Sequence, residues 1–267
     1  MVIFRLKIFT TSSLIIWKTK PEIFNKGIIL KFNDLMANYV PSDFSRQISL
    51  EHFIEIFLVH HPIQNVLDLG CGIGNSADEF SRINPNVIWI GIDIENSPEV
   101  NARQRKDLQF LTFDGVSLPF SDSYFDLIYC KQVFEHVRFP AALLKEVYRV
   151  LKPGGFFIGS TSHLEPYHSF SYWNYTPYGF IILLQEAGLE VSEMRPSIDA
   201  VTLILRRITG DAKIFNIFWR IDSPLNAMLE LFGILLRKKA QWRNIVKLLF
   251  CGQFLFSAKK PSDYFFS

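Results

Sequence analysis

The stretch Val66-Leu67-Asp68-Leu69-Gly70-Cys71-Gly72-Ile73-Gly74-Asn75 reads as a buried strand that breaks into a glycine turn and opens a helix. Gly70, Gly72 and Gly74 alternate, so the backbone there can take positive φ and approach a ligand with no Cβ in the way. A second apolar strand, 87–92, follows and ends in Asp93, where a carboxylate can hydrogen-bond both ribose hydroxyls of a nucleoside. The dinucleotide fingerprint requires a further glycine three positions after the second. Asn75 stands there instead, with Gly74 one residue early.

Outward from this turn, apolar runs alternate with helical patterns, the signature of βαβ units and a parallel sheet. Upstream, Ile48, Phe53, Ile54, Ile56, Phe57 and Leu58 predict a helix ending before His61-Pro62. Downstream, Pro140 fits the first turn of a helix whose apolar positions are Leu143, Leu144, Val147 and Leu151. Gly154 and Gly155 are placed to terminate it in a left-handed turn.

The pattern Asp-x-Gly-x-Gly-x-Gly, opening with Asp68, resembles motif I of the class I S-adenosylmethionine-dependent methyltransferases. The resemblance continues in family order through Phe113-Asp114-Gly115, the run from Leu118 to Cys130, Gln132-Val133-Phe134-Glu135-His136-Val137, and Leu151 to Phe157. The run from Leu118 to Cys130 is the most specific and points to the small-molecule branch, similar to the ubiquinone and menaquinone methyltransferases. The resemblance implies an α/β fold: a Rossmann-like seven-stranded, mostly parallel sheet with an antiparallel last strand and helices on both faces. It implies S-adenosyl-L-methionine as cofactor, held by Asp68, Gly70, Cys71, Gly72, Gly74, Asp93, Ile94, Asp114, Gly115 and Cys130. Asp68 would order the loop and face the methionine end, and Asp114 would contact the adenine amino group; a plain Asp-Gly turn is the other reading of Asp114-Gly115.

Residues 1–62 are expected to form a helical N-terminal extension or lid, and 63–267 the methyltransferase domain. The family turns back quickly after its sixth strand, here 189–194. In this chain the match to the last strand, Gly252 to Pro261, comes only after about fifty residues, beyond ordinary loop length. That insertion, 198–250, is expected to be helical. Ser223-Pro224 reads as a cap and first-turn proline, followed by an apolar stripe at Leu225, Met228, Leu229, Phe232, Leu235 and Leu236. Arg237-Lys238-Lys239 closes it with charges that suit the helix dipole. Two readings of the stripe compete: a subdomain packed over the sheet and active site, or a peripheral membrane contact through 224–250.

Lys and Arg total 28 against 26 Asp and Glu, a net charge of +2 that gives no strong nucleic-acid signal. The basic charge collects in Leu203 to Ser267, with eleven Lys or Arg against four Asp or Glu. Cys71, Cys130 and Cys251 lack ligand spacing, so neither a disulfide framework nor a metal site is expected, and a reducing, cytoplasmic setting fits. The mixed start at Met1 to Leu6 and the apolar Leu14 to Trp17 do not read as a signal peptide. No window holds the roughly 18 apolar residues of a membrane span.

Methyl transfer is an in-line displacement governed by positioning. A hydroxyl acceptor calls for a general base beyond the ends of strands four and five. Candidates are His163 and His168 in the polar, aromatic run 161–180, with His136 ranked lower. For each, a solvated loop or a core hydrogen bond is the alternative role. Thr176 reads as a helix cap ahead of Pro177. After strand four, Cys130-Lys131-Gln132-Val133 lacks the Pro-Pro run used on base amines, the chain has no Pro-Cys dipeptide, and no acidic trio for magnesium is evident. The expected function is therefore S-adenosylmethionine-dependent methyl transfer to a small, apolar acceptor, at oxygen. The alternatives are an RNA or protein methyltransferase, or a catalytically silent binding scaffold.

Overall fold

The computed structural model describes residues 28–262; the readings made on Met1 to Leu6 and Leu14 to Trp17 lie outside them. Seven strands form one sheet: β1 (Asn65–Leu69), β2 (Ile88–Ile94), β3 (Phe110–Phe113), β4 (Phe125–Lys131), β5 (Leu151–Ser162), β6 (Glu190–Pro196) and β7 (Gln253–Lys259). Their order across the sheet is β3-β2-β1-β4-β5-β7-β6. The first five pair in parallel, and β7 runs antiparallel to both β5 and β6. The order reverses at β1 and β4, so the carboxyl ends of those two strands flank the crevice where open α/β sheets bind ligands.

The helices are α1 (Ile28–Met36), α2 (Leu50–His60), α3 (Ser76–Ile83), α4 (Pro98–Asn101), α5 (Pro140–Val150), α6 (Pro177–Glu186), α7 (Ala200–Ile208), α8 (Pro224–Leu235) and α9 (Ala240–Leu249). On one face of the sheet, Phe53, Ile54 and Phe57 of α2 pack with Phe80, Val66, Leu127 and Ile158. On the other, Leu143, Leu144 and Val147 of α5 and Phe180 and Leu184 of α6 meet Leu67, Ile128, Phe157 and Phe256. Both faces of the central strands are thus covered, which is why those strands read as continuous apolar runs.

The stop of α5 differs from expectation. The helix ends at Val150 and Leu151 is already extended at φ −70°, ψ 137°. Gly154 does take a left-handed φ of +78°, but inside the lead-in to β5, where its N–H donates to Lys260 O. Thr176 caps α6 as expected, its hydroxyl accepting from Gly179 N–H.

The insertion is helical, formed by α7, a 3-10 segment at Lys213–Trp219, α8 and α9. Ser223 precedes α8 in extended conformation, yet its hydroxyl does not cap that helix. The cap is Asp199, which is wholly buried and accepts from Thr202 N–H of α7 and Leu225 N–H of α8. Most of the apolar stripe of α8 faces outward: Met228, Leu231, Phe232, Ile234, Leu235 and Leu236 are exposed and Leu225 and Leu229 half-buried, while the buried positions are Asn226 and Gly233. The reason lies in the inner neighbours, which are polar. Asn226 donates to Gln47 Oε1 and Ser197 O, and Glu230 pairs with Arg243 and the fully buried Lys247. Core packing therefore does not account for this stripe.

Candidate active site

The glycine turn is fixed by backbone bonds to the end of β2: Gly70 N–H and Cys71 N–H both donate to Ile92 O. Gly70, Gly72 and Gly74 have φ of +74°, +51° and +86°. At Gly70 the requirement is double, since a Cβ would also stand 2.3 Å from Val133 Cγ2. That approach ties the turn to the segment following β4.

Behind the turn, Asp68 is buried and accepts from Ser76 Oγ, which in turn accepts from Trp89 Nε1. Burial pushes the Asp68 carboxyl up to about 7, against the opposing hydrogen bond from Ser76. Asp93 at the end of β2 accepts from Gly72 N–H through Oδ2 and from Ile94 N–H through Oδ1. Arg103 clamps the turn from outside, with Nε donating to Gly72 O, an Nη 3.2 Å from Cys71 Sγ, and the guanidinium stacked on Phe110. Asp114 Oδ1 accepts from Val116 and Ser117 N–H, and these bonds hold its carboxyl below the usual range. Gly115 there has φ +87°, with Ile94 alongside.

A cleft of about 770 Å³ opens over the turn, lined by Asp68, Gly70, Cys71, Gly72, Glu99 and Lys131 among others. Glu51, Glu79, Tyr129, Pro98 and Ala102 complete much of its wall. Cys130 is fully buried in the core on the opposite sheet face, between the lining residues Tyr129 and Lys131. The donor set is chemically selective: four carboxylates (Glu51, Asp68, Glu79, Glu99) line the space, and Lys131 is paired with Glu51 at 2.7 Å. A pyrophosphate would meet this field unfavourably, whereas a ligand carrying a sulfonium and an ammonium suits it.

The second cluster lies beyond β4 and β5. The segment after β5 is laced over a 3-10 turn at Phe134–His136: Tyr172 and Trp173 N–H donate to Glu135 O, Trp173 Nε1 to Val137 O, and Tyr175 OH to Phe134 O. This lacing sets His168 edge-to-face against His136, with ring centres 5.2 Å apart. His136 is held below its usual pKa, first by burial and then by His168, and its buried Nδ1 has no partner. His136 follows Val133, which packs on Gly70, so the histidine pair lies beyond the carboxyl ends of β4 and β5, on the same edge of the sheet as the glycine turn. Glu135 is wholly buried, accepts from Thr161 Oγ1, and is pushed up to about 7 by burial. One ligand atom from each of Glu135, His136 and His168 lies within 4.8 Å of the others.

Glu165 sits behind His168, its Oε1 3.7 Å from His168 Nδ1 and 3.6 Å from an Arg207 Nη of α7. Its Oε2 accepts from Ser162 Oγ and Gln253 Nε2, both at 2.7 Å. Gln132, at the end of β4, takes a left-handed φ of +55°, the kind of strain that collects near working sites. His163 is placed differently: its Nδ1 is 2.9 Å from Tyr175 O and burial lowers its pKa, so its ring is engaged in holding the backbone. Sequence reasoning grouped His163 with His168; the structure groups His168 with His136. It also missed Ser76, Trp89, Arg103, Glu165 and Arg207. Of these, Ser76, at the start of α3 beside the glycine turn, and Glu165, inside the run 161–180, stood where local sequence could have pointed to them.

Residues 67–159 match the protein family described as "Methyltransferase domain". The chain is 36% identical over 114 residues to cycloartenol-C-24-methyltransferase of Arabidopsis thaliana, covering 40% of this chain and 34% of that protein. It is 33% identical over 94 residues to demethylmenaquinone methyltransferase of Renibacterium salmoninarum, covering 35% and 39%. The matches thus span little more than a third of these relatives' lengths. Among solved structures, phosphoethanolamine N-methyltransferase 2 of Haemonchus contortus in complex with S-adenosyl-L-methionine shares the fold, at a TM-score of 0.50 and 19% identity over 88% of this chain and 57% of that one.

Proposed function

Because this chain carries a class I S-adenosylmethionine-dependent methyltransferase domain, we propose that it methylates a small-molecule acceptor at a hydroxyl oxygen, with His168 as general base. The Glu165–His168 pair, with His136 edge-to-face against His168, carries this reading. When bound, S-adenosyl-L-methionine supplies a sulfonium methyl for in-line displacement, its sulfur keeping the electrons of the broken S–C bond. Asp68 and the amides of the glycine turn would hold its amino acid end, and Asp93 its ribose. His168 accepts the hydrogen bond of the acceptor hydroxyl and so orients it, with His136 packed edge-to-face against its ring. His168 takes the proton as the new C–O bond forms, and Glu165 stabilises the resulting imidazolium. Ser162 and Gln253 keep the Glu165 carboxylate aimed at His168. The small-molecule class agrees with the sterol and menaquinone words in the relatives' names; the sterol relative's name specifies a carbon, C-24, and neither name specifies oxygen.

His168→Ala should lower turnover about 100-fold while leaving the affinity for S-adenosylhomocysteine unchanged. Glu165→Gln should shift the acidic limb of the rate profile, because it weakens a charge partner and not a contact with the reacting atoms. Full turnover in His168→Ala would exclude the assigned base. Turnover lost on chelation and restored by a divalent ion would reassign Glu135, His136 and His168 to a metal.

A further inference from the structure

The geometry points to a membrane-docking face on the insertion, built from α7, the 3-10 segment and α8 and fitted to a bilayer rich in anionic lipid. Helix α8 is amphipathic in the reverse sense: its inner side is Asn226, Glu230 and Gly233, and its outer side is apolar. Gly233 lets the backbone settle on Arg243, whose Cδ would lie 2.6 Å from a Cβ at that position. The inward orientation is therefore locked by contacts, and the apolar side has no inner place to go. Helix α7 packs against both the 3-10 segment and α8, so the elements that carry the outward apolar residues adjoin. Ile208, Ile214 and Leu235 are 75%, 76% and 72% exposed, and Ile217, Leu231 and Phe232 more than half. Outward apolar residues gathered on adjoining elements exceed the scattered single apolar residues of an ordinary surface.

Charge decides the occupant. The acids of the insertion are turned inward or neutralised: Asp199 caps two helices, Asp222 accepts from Gln47 N–H, Glu230 pairs with Arg243 and Lys247, and Asp211 pairs with Arg206 and Arg207. Lys213, Arg220, Arg237, Lys238 and Lys239 are exposed and have no acidic partner among the described residues. An apolar face with a basic rim matches an acyl boundary beneath anionic headgroups. Helix α7 adds a link to the acceptor region through the buried Ala200 and the exposed Ile204. Ala200 and Ile204 line a cavity of about 610 Å³ together with His163, Leu164, Glu165 and Asn174. Docking would bring that opening to the lipid interface. Helix α9 takes no part, since Asn244 to Leu248 are buried; the contact face is 201–239 and not the expected 224–250. No described helix is long and apolar enough to cross a membrane, so the contact is peripheral.

Vesicle flotation of the full chain tests this. With vesicles of phosphatidylcholine and phosphatidylglycerol the protein should float, and with phosphatidylcholine alone binding should fall at least about tenfold. The triple variant Ile208→Ser, Leu231→Ser, Leu235→Ser should lose at least about tenfold in binding to anionic vesicles. Its S-adenosylhomocysteine affinity should be unchanged, which reports that it is folded. The variant Arg237→Ser, Lys238→Ser, Lys239→Ser should lose the preference for anionic lipid. No flotation of the wild type, or equal flotation of the serine triple, overturns the proposal. So does light scattering that shows a dimer which the serine triple converts to monomer, because a second copy would then own the face.

Discussion

The cofactor cleft and the insertion solve opposite burial problems. In the cleft, a carboxylate is taken inside: Asp68 is buried against Ser76 and Trp89, and the glycine turn is drawn so tight that a single Cβ at Gly70 would strike Val133. On the insertion, a polar seam is taken inside and the apolar side chains of α8 are left outside. Cleft residues are constrained by close contacts with the ends of neighbouring strands, Ile92 of β2 and Val133 after β4. The orientation of α8 is set instead by polar partners, Gln47 and Ser197 from other segments and Arg243 and Lys247 from the adjacent α9. Local crowding makes a region intolerant of change, whereas an outward apolar face should tolerate change in stability and show it only in binding.

The largest break in that contrast is expected from Gly70→Val. It places a β-branched residue at φ +74° and into Val133, so stability should fall by about 3 kcal/mol in denaturant unfolding. Cofactor binding should disappear in calorimetry. Retained binding would mean that the turn has slack the geometry denies.

Next is Asn226→Leu, which removes the side-chain donor to Ser197 O and one of the three donors to Gln47 Oε1, the others being Ser223 N–H and Oγ. A loss of about 2 kcal/mol is expected. A stabilised variant would show that the inner seam of α8 could have been apolar.

The Asp68 carboxyl sharpens the cleft side. Its folded pKa of about 7 lies above the ordinary carboxylate value, so between about pH 4 and 7 the folded chain holds a proton the unfolded chain has released. Ligand-free stability should therefore fall as pH rises through that window. A cationic cofactor favours the ionised form, so its affinity should be about tenfold weaker at pH 6 than at pH 8. Asp68→Asn should flatten both dependences.

The smallest effect is expected from Leu235→Ser, on the outer face. Its stability should change by no more than about 0.5 kcal/mol.

The same contrast explains what was legible in sequence. The strand, glycine turn and helix from Asn65 to Ile83, the acids at 68 and 93, and the antiparallel last strand at Gln253–Lys259 are local or follow a fixed order, so pattern reading placed them. The insertion was legible as helices with an apolar stripe, but periodicity does not say which side of a helix faces the protein. That choice rests on Asn226, whose partner Gln47 is 179 positions away, and on Gly233, which settles on Arg243 of the following helix. The partners of Glu165 were hidden for a similar reason, since Arg207 and Gln253 reach it from 42 and 88 positions downstream. The stop of α5 at Val150 was misplaced because two adjacent glycines look like a helix end, although Gly154 serves the entry to β5.

One measurement tests the central claim most directly: incubate the protein with methyl-labelled S-adenosylmethionine and a lipid-soluble fraction of source cells, then identify the atom that carries the label. The result expected is a labelled methyl on oxygen of a small molecule, absent with Gly70→Val and reduced about 100-fold with His168→Ala. Label on carbon or nitrogen, or cofactor hydrolysis with no labelled product, would contradict it.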